Sequence, residues 1–369
     1  MNRPMNRSER FHAAIQHQPV DRVPMYDFLF QQPLYEALIG RKPTSYNARD
    51  AVDCALALNH DLVWVPFGGP RDFQARYLRP DVYVDEWGTT YEHNFAAWPI
   101  DAPIEYPIRD HTDLKGYQPP DPTAPGRLDE IHYALSMPRD DLANQRDWPA
   151  NRRDWPAISG SVGGPFTQTW MLMGYERICF TLYEEPQLLE ELFRISTDFS
   201  LEAIRLQAQA GVAAIWVSDD FGDSVRGFLK PAHFERYVLP YIAELAEAIA
   251  SHGLPALLHS CGHILEYLPG LAQTKLSAIH PMQRTAGMDL AWMKENYGER
   301  FCLIGNIDSS RTLPFGTPED VRAEVREAIE IAAPGGGYIL ASDHSLHDGI
   351  SVENILALFD EGVRYSLGK

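Results

Sequence analysis

The chain has 369 residues, with 32 basic against 51 acidic side chains and a net charge of −19. So acidic a surface repels phosphate backbones and anionic lipid headgroups, which excludes nucleic acid and membrane surfaces as expected partners. A hydrophobic fraction of 45% supplies a core, yet no apolar run reaches the roughly 18 residues of a membrane helix.

Residues 8–16 predict a short amphipathic helix with Phe11, Ala14 and Ile15 on one side. A first strand follows at 23–28, ending near Asp27, then helices at 33–39 and 48–58. The second strand is 62–67, closed by Gly68 and Gly69. Residues from 70 to about 156 depart from this rhythm. Within them, 83–93 alternates around Gly88 as a β-hairpin, 97–125 is proline-rich and wraps the surface, and 128–136 forms a helix. The pentapeptide RDWPA occurs twice, at 146–150 and 153–157, which predicts an exposed loop.

After that the alternation is strict. Strands are predicted at 157–162, 212–218, 255–260, 276–280, 301–305 and 337–341. Helices are predicted at 169–182, 186–210, 231–251, 264–272, 289–297, 317–332 and 352–366. Thr317 and Pro318 mark a helix start, the threonine as cap and the proline in the first turn. Eight apolar strands, each followed by helix, mean a parallel sheet covered on both faces. The fold class is α/β, a (β/α)8 TIM barrel formed by one domain over 1–369, with a long insert after the second strand. An open doubly wound sheet is the rival, but the first strand lacks a glycine-rich phosphate loop.

In such a barrel, chemistry sits at the C-terminal ends of the strands. Those ends carry Asp27, Asp219 and Asp220, His259 and Cys261, His280, Asn306 and Asp308, and Asp343 and His344. The stretch 255–263, PALLHSCGH, is an apolar run that stops in a His-x-Cys pair, and imidazole with thiolate is the donor set zinc prefers. His344, from the last strand, is the expected third ligand, with Asp343 as the alternative. Three ligands and an open position describe a catalytic zinc, which activates a thiol or a water. Asp219 and Asp220 serve as a base or substrate contact, or else cap the following turn. Asp308 has the same two readings. Asp27, His280 and Asn306 are candidate substrate contacts. Cys302 lies inside a strand and belongs to the core. The four cysteines are scattered and the polar N-terminus lacks the apolar middle of a signal peptide, which predicts a cytoplasmic protein.

Several stretches together carry a resemblance. RFHAAIQHQPVDRVP near the start, VGGPFT at 162–167, FERYVLPY at 234–241, LLHSCGH at 257–263, GNID at 305–308, GTPEDVRAEVREAI at 316–329 and GGGYILASDH at 335–344 resemble the uroporphyrinogen decarboxylase superfamily. That superfamily has the (β/α)8 fold, and the likeness spans nearly the whole chain. Its true decarboxylases have an arginine-rich segment after the first strand and an aspartate after the second. Here those places read MYDFLFQQPLYEALIG and LVWVPFGGP. A substrate with many carboxylates needs such cationic partners.

The chain is more similar to the corrinoid-linked methyltransferase branch. There the resemblance implies a zinc-binding His-x-Cys at His259 and Cys261, with His344 where those relatives have cysteine. It implies a zinc-dependent methyltransferase that moves a methyl group between a corrinoid, or a corrinoid protein, and a small thiol or methylated substrate. His259, Cys261 and His344 hold the metal, while Asp219, Asp220 and Asp308 orient substrate or handle protons. A homodimer is also implied. The alternatives are decarboxylation of a tetrapyrrole or small acid, and a non-catalytic barrel that carries a corrinoid or tetrapyrrole.

Overall fold

The computed structural model describes residues 4–94, 98–136 and 154–365. The first RDWPA copy lies outside them.

In chain order the strands are β1 (Leu29–Phe30), β2 (Leu62–Trp64), β3 (Arg76–Arg79), β4 (Val82–Val84), β5 (Thr90–Glu92), β6 (Ala102–Glu105), β7 (Ala157–Gly163), β8 (Ala214–Ser218), β9 (Ala256–His259), β10 (Leu276–His280), β11 (Cys302–Ile307), β12 (Tyr338–Ser342) and β13 (Leu346–His347). Seven of them form one parallel sheet in the order β12-β11-β10-β9-β8-β7-β2. Its neighbours are consecutive in sequence except for the step from β2 to β7, which is filled by a separate antiparallel sheet, β3-β4-β5-β6. The expected hairpin is the β4–β5 pair, in which Tyr83 faces Tyr91.

The sheet is curled. The expected first strand at 23–28 is reduced to one bridge, Met25 with Leu340. Tyr26 N donates to Leu340 O at 3.0 Å and Leu340 N to Pro24 O at 2.9 Å, while on the other side Asp61 N donates to Met25 O at 2.8 Å. The segment therefore links the two outer strands of the sheet. It stays short because Pro24 has no N–H to give to a ladder. Beyond it the chain shifts to a second pairing, β1 with β13.

Side chains alternate across the strands. One set, including Ala157, Ala214, Trp216, Leu257, Ala278, Cys302, Ile304, Ile339 and Ala341, fills the inside of the curl together with Tyr26 and Phe28. The alanines leave the room that Trp216 and Tyr26 occupy, their rings stacked at 5.1 Å. Phe11, on the helix Arg7–Ile15, belongs to the same cluster. The other set, such as Ile215, Val217 and Leu258, packs against the surrounding helices.

Two predicted helices are each split. The helix expected at 169–182 becomes Pro165–Met173 and Tyr175–Glu184, divided at Gly174 with φ +80°. A β-carbon there would also meet the Tyr106 ring at 2.8 Å. The helix expected at 231–251 becomes Pro231–Tyr237 and Leu239–Ser251, because Pro240 cannot continue the hydrogen bonding of the first piece. The helix Pro318–Ala332 starts as expected, with the Thr317 side chain accepting from Asp320 N.

Candidate metal centre

Strands β8, β9 and β10 lie side by side, with Ser218 opposite His259 and His259 opposite His280. The loops that leave these ends carry the chemistry. Two residues beyond Ser218 comes Asp220, and two residues beyond His259 comes Cys261, so the parallel register brings them together. Cys261 N donates to Asp220 Oδ1 at 2.8 Å. Cys261 Sγ stands 3.3 Å from His259 Nε2, and that nitrogen is 3.8 Å from Asp220 Oδ1. The three donor atoms, one each from Asp220, His259 and Cys261, all lie within 4.8 Å of one another.

The backbone after Cys261 turns sharply at Gly262, with φ +77°. A β-carbon there would lie 2.3 Å from Gly222 O. Glycine is thus required both by conformation and by the close approach of the β8 loop. Gly262 N is held by the Gln283 side chain at 2.9 Å.

His280 is fully buried behind the cluster, and its Nδ1 lies 2.7 Å from His259 Nδ1. Burial holds both rings well below the ordinary histidine range, and the neighbouring histidines lower His280 further. Burial also pushes the Cys261 thiol well up, with the Asp220 carboxylate adding to it.

The other rim carboxylates face backbone. Asp219 is buried and accepts from Phe166 N at 3.2 Å and Thr167 N at 2.5 Å. It so caps the helix Pro165–Met173, whose own N-cap residue, Gly164, has no side chain to do so. Burial raises its pKa to about 7 against the pull of those N–H groups. Asp27 accepts from Ser342 N at 2.8 Å and Ser342 Oγ at 2.9 Å, and burial raises it too to about 7. Asp308 accepts from Ser310 N and Arg311 N, closing a turn. Asp343 ties Ser309 to Arg284 N. Asn306 is buried and donates to Met282 O at 3.1 Å and Met288 O at 3.3 Å. The ring of His344 lies 6.4 Å from that of His259, with its Nδ1 2.9 Å from Ser345 Oγ. The three donors that the structure gathers are thus His259, Cys261 and Asp220, with His344 at their border.

A wall of aromatic rings runs from this cluster. Phe28 stands edge-to-face with His259 at 5.2 Å and with Trp64 at 5.4 Å. Trp64 lines two cavities. One, of about 270 Å³, has a mixed lining, with Ser161, Gln168, Ser200 and Ser218 beside Phe67, Trp87 and Phe199. The other, of about 690 Å³, is bounded by Tyr46, Trp98 and Ile100. The cation lining the smaller cavity is Arg127, which is 2% exposed and already paired with Glu86 at 2.6 Å.

A family model described as "Uroporphyrinogen decarboxylase (URO-D)" matches residues 99–365, which contain the whole cluster. The chain belongs to the uroporphyrinogen decarboxylase family. The uroporphyrinogen decarboxylase of Anaeromyxobacter dehalogenans is 27% identical over 368 residues, covering 96% of this chain and 97% of that protein. That of Alkalilimnicola ehrlichii is 26% identical over 380 residues, covering 96% and 93%. Among solved structures, a methyltransferase from Methanosarcina mazei is similar in fold, with a TM-score of 0.73 at 21% identity, over 98% of this chain and 99% of that one. No described helix is long and apolar enough to cross a membrane.

In this member of the uroporphyrinogen decarboxylase family, sequence reasoning placed Asp220 with the proton-handling groups and did not see it as a metal donor. The signal was the matched spacing, two residues beyond facing strand ends. It also missed His280 as the partner of His259, which becomes visible only when β9 and β10 are known to be neighbours in register.

Proposed function

We propose that the chain is a cytoplasmic, zinc-dependent methyltransferase built on a (β/α)8 barrel. It moves a methyl group between a corrinoid, or a corrinoid protein, and a small thiol or methylated substrate. The cluster of Asp220, His259 and Cys261 carries this reading. Carboxylate oxygen, imidazole nitrogen and thiolate sulfur are zinc donors, and three of them leave one position for a substrate. A cation beside Cys261 also offsets the burial and the Asp220 charge that otherwise keep its thiol protonated. A fold in common with a protein named as a methyltransferase is in keeping with the reading.

Bound zinc supplies the Lewis acidity that lets a thiol give up its proton near neutral pH. The chain's own residues do the rest. His259 and Cys261 hold the metal and Asp220 completes the set, with His344 at its border, its ring 6.4 Å from that of His259. Asp219 fixes the loop that presents Asp220. Asp308 and Asp343 fix the loops from β11 and β12. Asp27 and Asn306 hold the rim on either side of β12, and the two cavities beside Trp64 offer room for substrate. The proposed partners are a corrinoid protein and a second copy of the chain.

Metal analysis tests the reading directly. Purified protein should carry about one zinc per chain, lost in Cys261→Ser. Incubation with methylcobalamin and a panel of small thiols should yield an S-methyl product. Protein without zinc, together with undiminished transfer in C261S, sinks the proposal.

The second reading is decarboxylation of a tetrapyrrole or another small acid, favoured by the names of the relatives. Against it stands the cation lining the smaller cavity, which Glu86 already neutralises. Incubation with uroporphyrinogen, followed by chromatography of the porphyrins, separates the two: shortened side chains select the decarboxylase.

A further inference from the structure

We propose that His280 is a positioning residue that sets which nitrogen of His259 faces Asp220 and Cys261. The inference rests on the metal-dependent reading above. The two Nδ1 atoms are 2.7 Å apart. Two imidazole nitrogens at that distance share a single proton, one donating and the other accepting. The other nitrogen of His259, Nε2, is the one beside Cys261 Sγ and Asp220 Oδ1, at 3.3 and 3.8 Å. A histidine that ligates a metal does so through an unprotonated nitrogen, while the opposite nitrogen donates its proton to a second residue that holds the ring. Applied here, His259 keeps its proton on Nδ1 and donates to Nδ1 of His280.

The surroundings of His280 fit an acceptor held in place by packing. Its ring lies edge-to-face with Tyr26 at 6.0 Å, Phe28 at 5.4 Å and Trp216 at 5.4 Å. Its own Nε2 is buried with no hydrogen-bond partner among the described residues. In this tautomer the proton of His280 is on Nε2, inside a box of aromatic rings that offers an N–H at most a weak contact. A side chain present only to fill space would not bring an unsatisfied polar atom into an aromatic box, where leaving one costs stability. The His259 contact gives the imidazole a purpose that a leucine at 280 would not serve.

The test compares two substitutions by zinc affinity, measured by competition with a chromophoric chelator, alongside thermal melts. In His280→Asn, Oδ1 sits one bond from Cγ, as Nδ1 does in histidine, and still accepts from His259. In His280→Leu the volume is kept and the acceptor is gone. Zinc should bind H280L about 10–100-fold more weakly than wild type, whereas H280N stays within about threefold. If H280L does not fold, His280→Met takes its place with the same expectation. Wild-type affinity in H280L or H280M, or a loss in folded H280N as large as theirs, overturns the inference and leaves the metal-dependent reading intact. Wild-type protein with no zinc affinity overturns both.

Discussion

Asp219 occupies the space that a side chain at position 164 would need: a β-carbon built on Gly164 would stand 2.2 Å from the Asp219 Cβ. The missing side chain lets the carboxylate reach Phe166 N and Thr167 N. The same approach places Asp220 next in the chain, beside Cys261.

Gly164 has φ −80°, a conformation open to any residue, so contact alone decides what a larger side chain does there. Gly164→Ala should cost about 1–3 kcal/mol, the usual range for forcing a methyl into a filled site. It should also weaken zinc binding, because Asp219 can yield only by moving Asp220. Urea unfolding of G164A checks the first part; a midpoint equal to wild type means Asp219 has somewhere else to go.

The third donor can be identified by comparing zinc affinities. Asp220→Ala and C261S should lose more than the about 10–100-fold that follows loss of an outer residue, and His344→Ala should lose less than that. The reverse order for D220A and H344A would assign the position to His344.

Asp27 and Asp219 make stability depend on pH with a definite sign. Each has its folded pKa raised by burial to about 7 from an ordinary 3.8. Between those values the folded chain holds more protons than the unfolded one, so stability falls as pH rises through this window and levels off above about 7. Asp27→Asn keeps an acceptor for Ser342 N and offers its amide to Ser342 Oγ. The melting temperature of D27N should therefore gain on wild type from pH 5 to pH 8. A constant difference across that range would contradict the assignment.

Arg127 is held on every side. It pairs with Glu86 through two nitrogens, donates to Gly68 O and Asp121 O, and lies 5.0 Å from the Phe199 ring centroid. Arg127→Met leaves Glu86 without its counter-charge and should destabilise by about 3 kcal/mol. Adding Glu86→Gln removes the stranded charge and should recover a good part of that loss. Denaturation of the single and double variants reads this out.

Much of the fold could be read from the chain because buried parallel strands are continuous apolar runs, as at 256–259 and 302–307. The segment at 23–28 misled because it is apolar too, yet Pro24 limits it to a single bridge. The helix breaks at Gly174 and before Pro240 depend on local backbone limits that periodicity averages away. At the rim, residue type singled out His259 and Cys261, and the structure brings their side chains together. The carboxylates were not separable by type, since one that lies among other donor groups and one that only holds backbone N–H groups look alike in sequence. Asp27, Asp219, Asp308 and Asp343 all proved to be bonded to backbone N–H groups, which buried loops must satisfy somewhere. Asp220 accepts a backbone N–H as well, from Cys261, and differs in that it also lies beside the His259 imidazole and the Cys261 sulfur.

The join between the start and end of the sheet sets an order of assembly. Asp27 and Ser342 are 315 positions apart, and Pro24 and Tyr26 bond to Leu340 across a similar gap. During synthesis the first strand-like segment has no partner on that side until the last strand has emerged. Contacts so distant in sequence slow folding, because a long loop must close before they form. Asp220, His259 and Cys261, by contrast, sit on neighbouring strands and can meet earlier. A chain stopped after β10 would hold all three donors while the rim around them is still open.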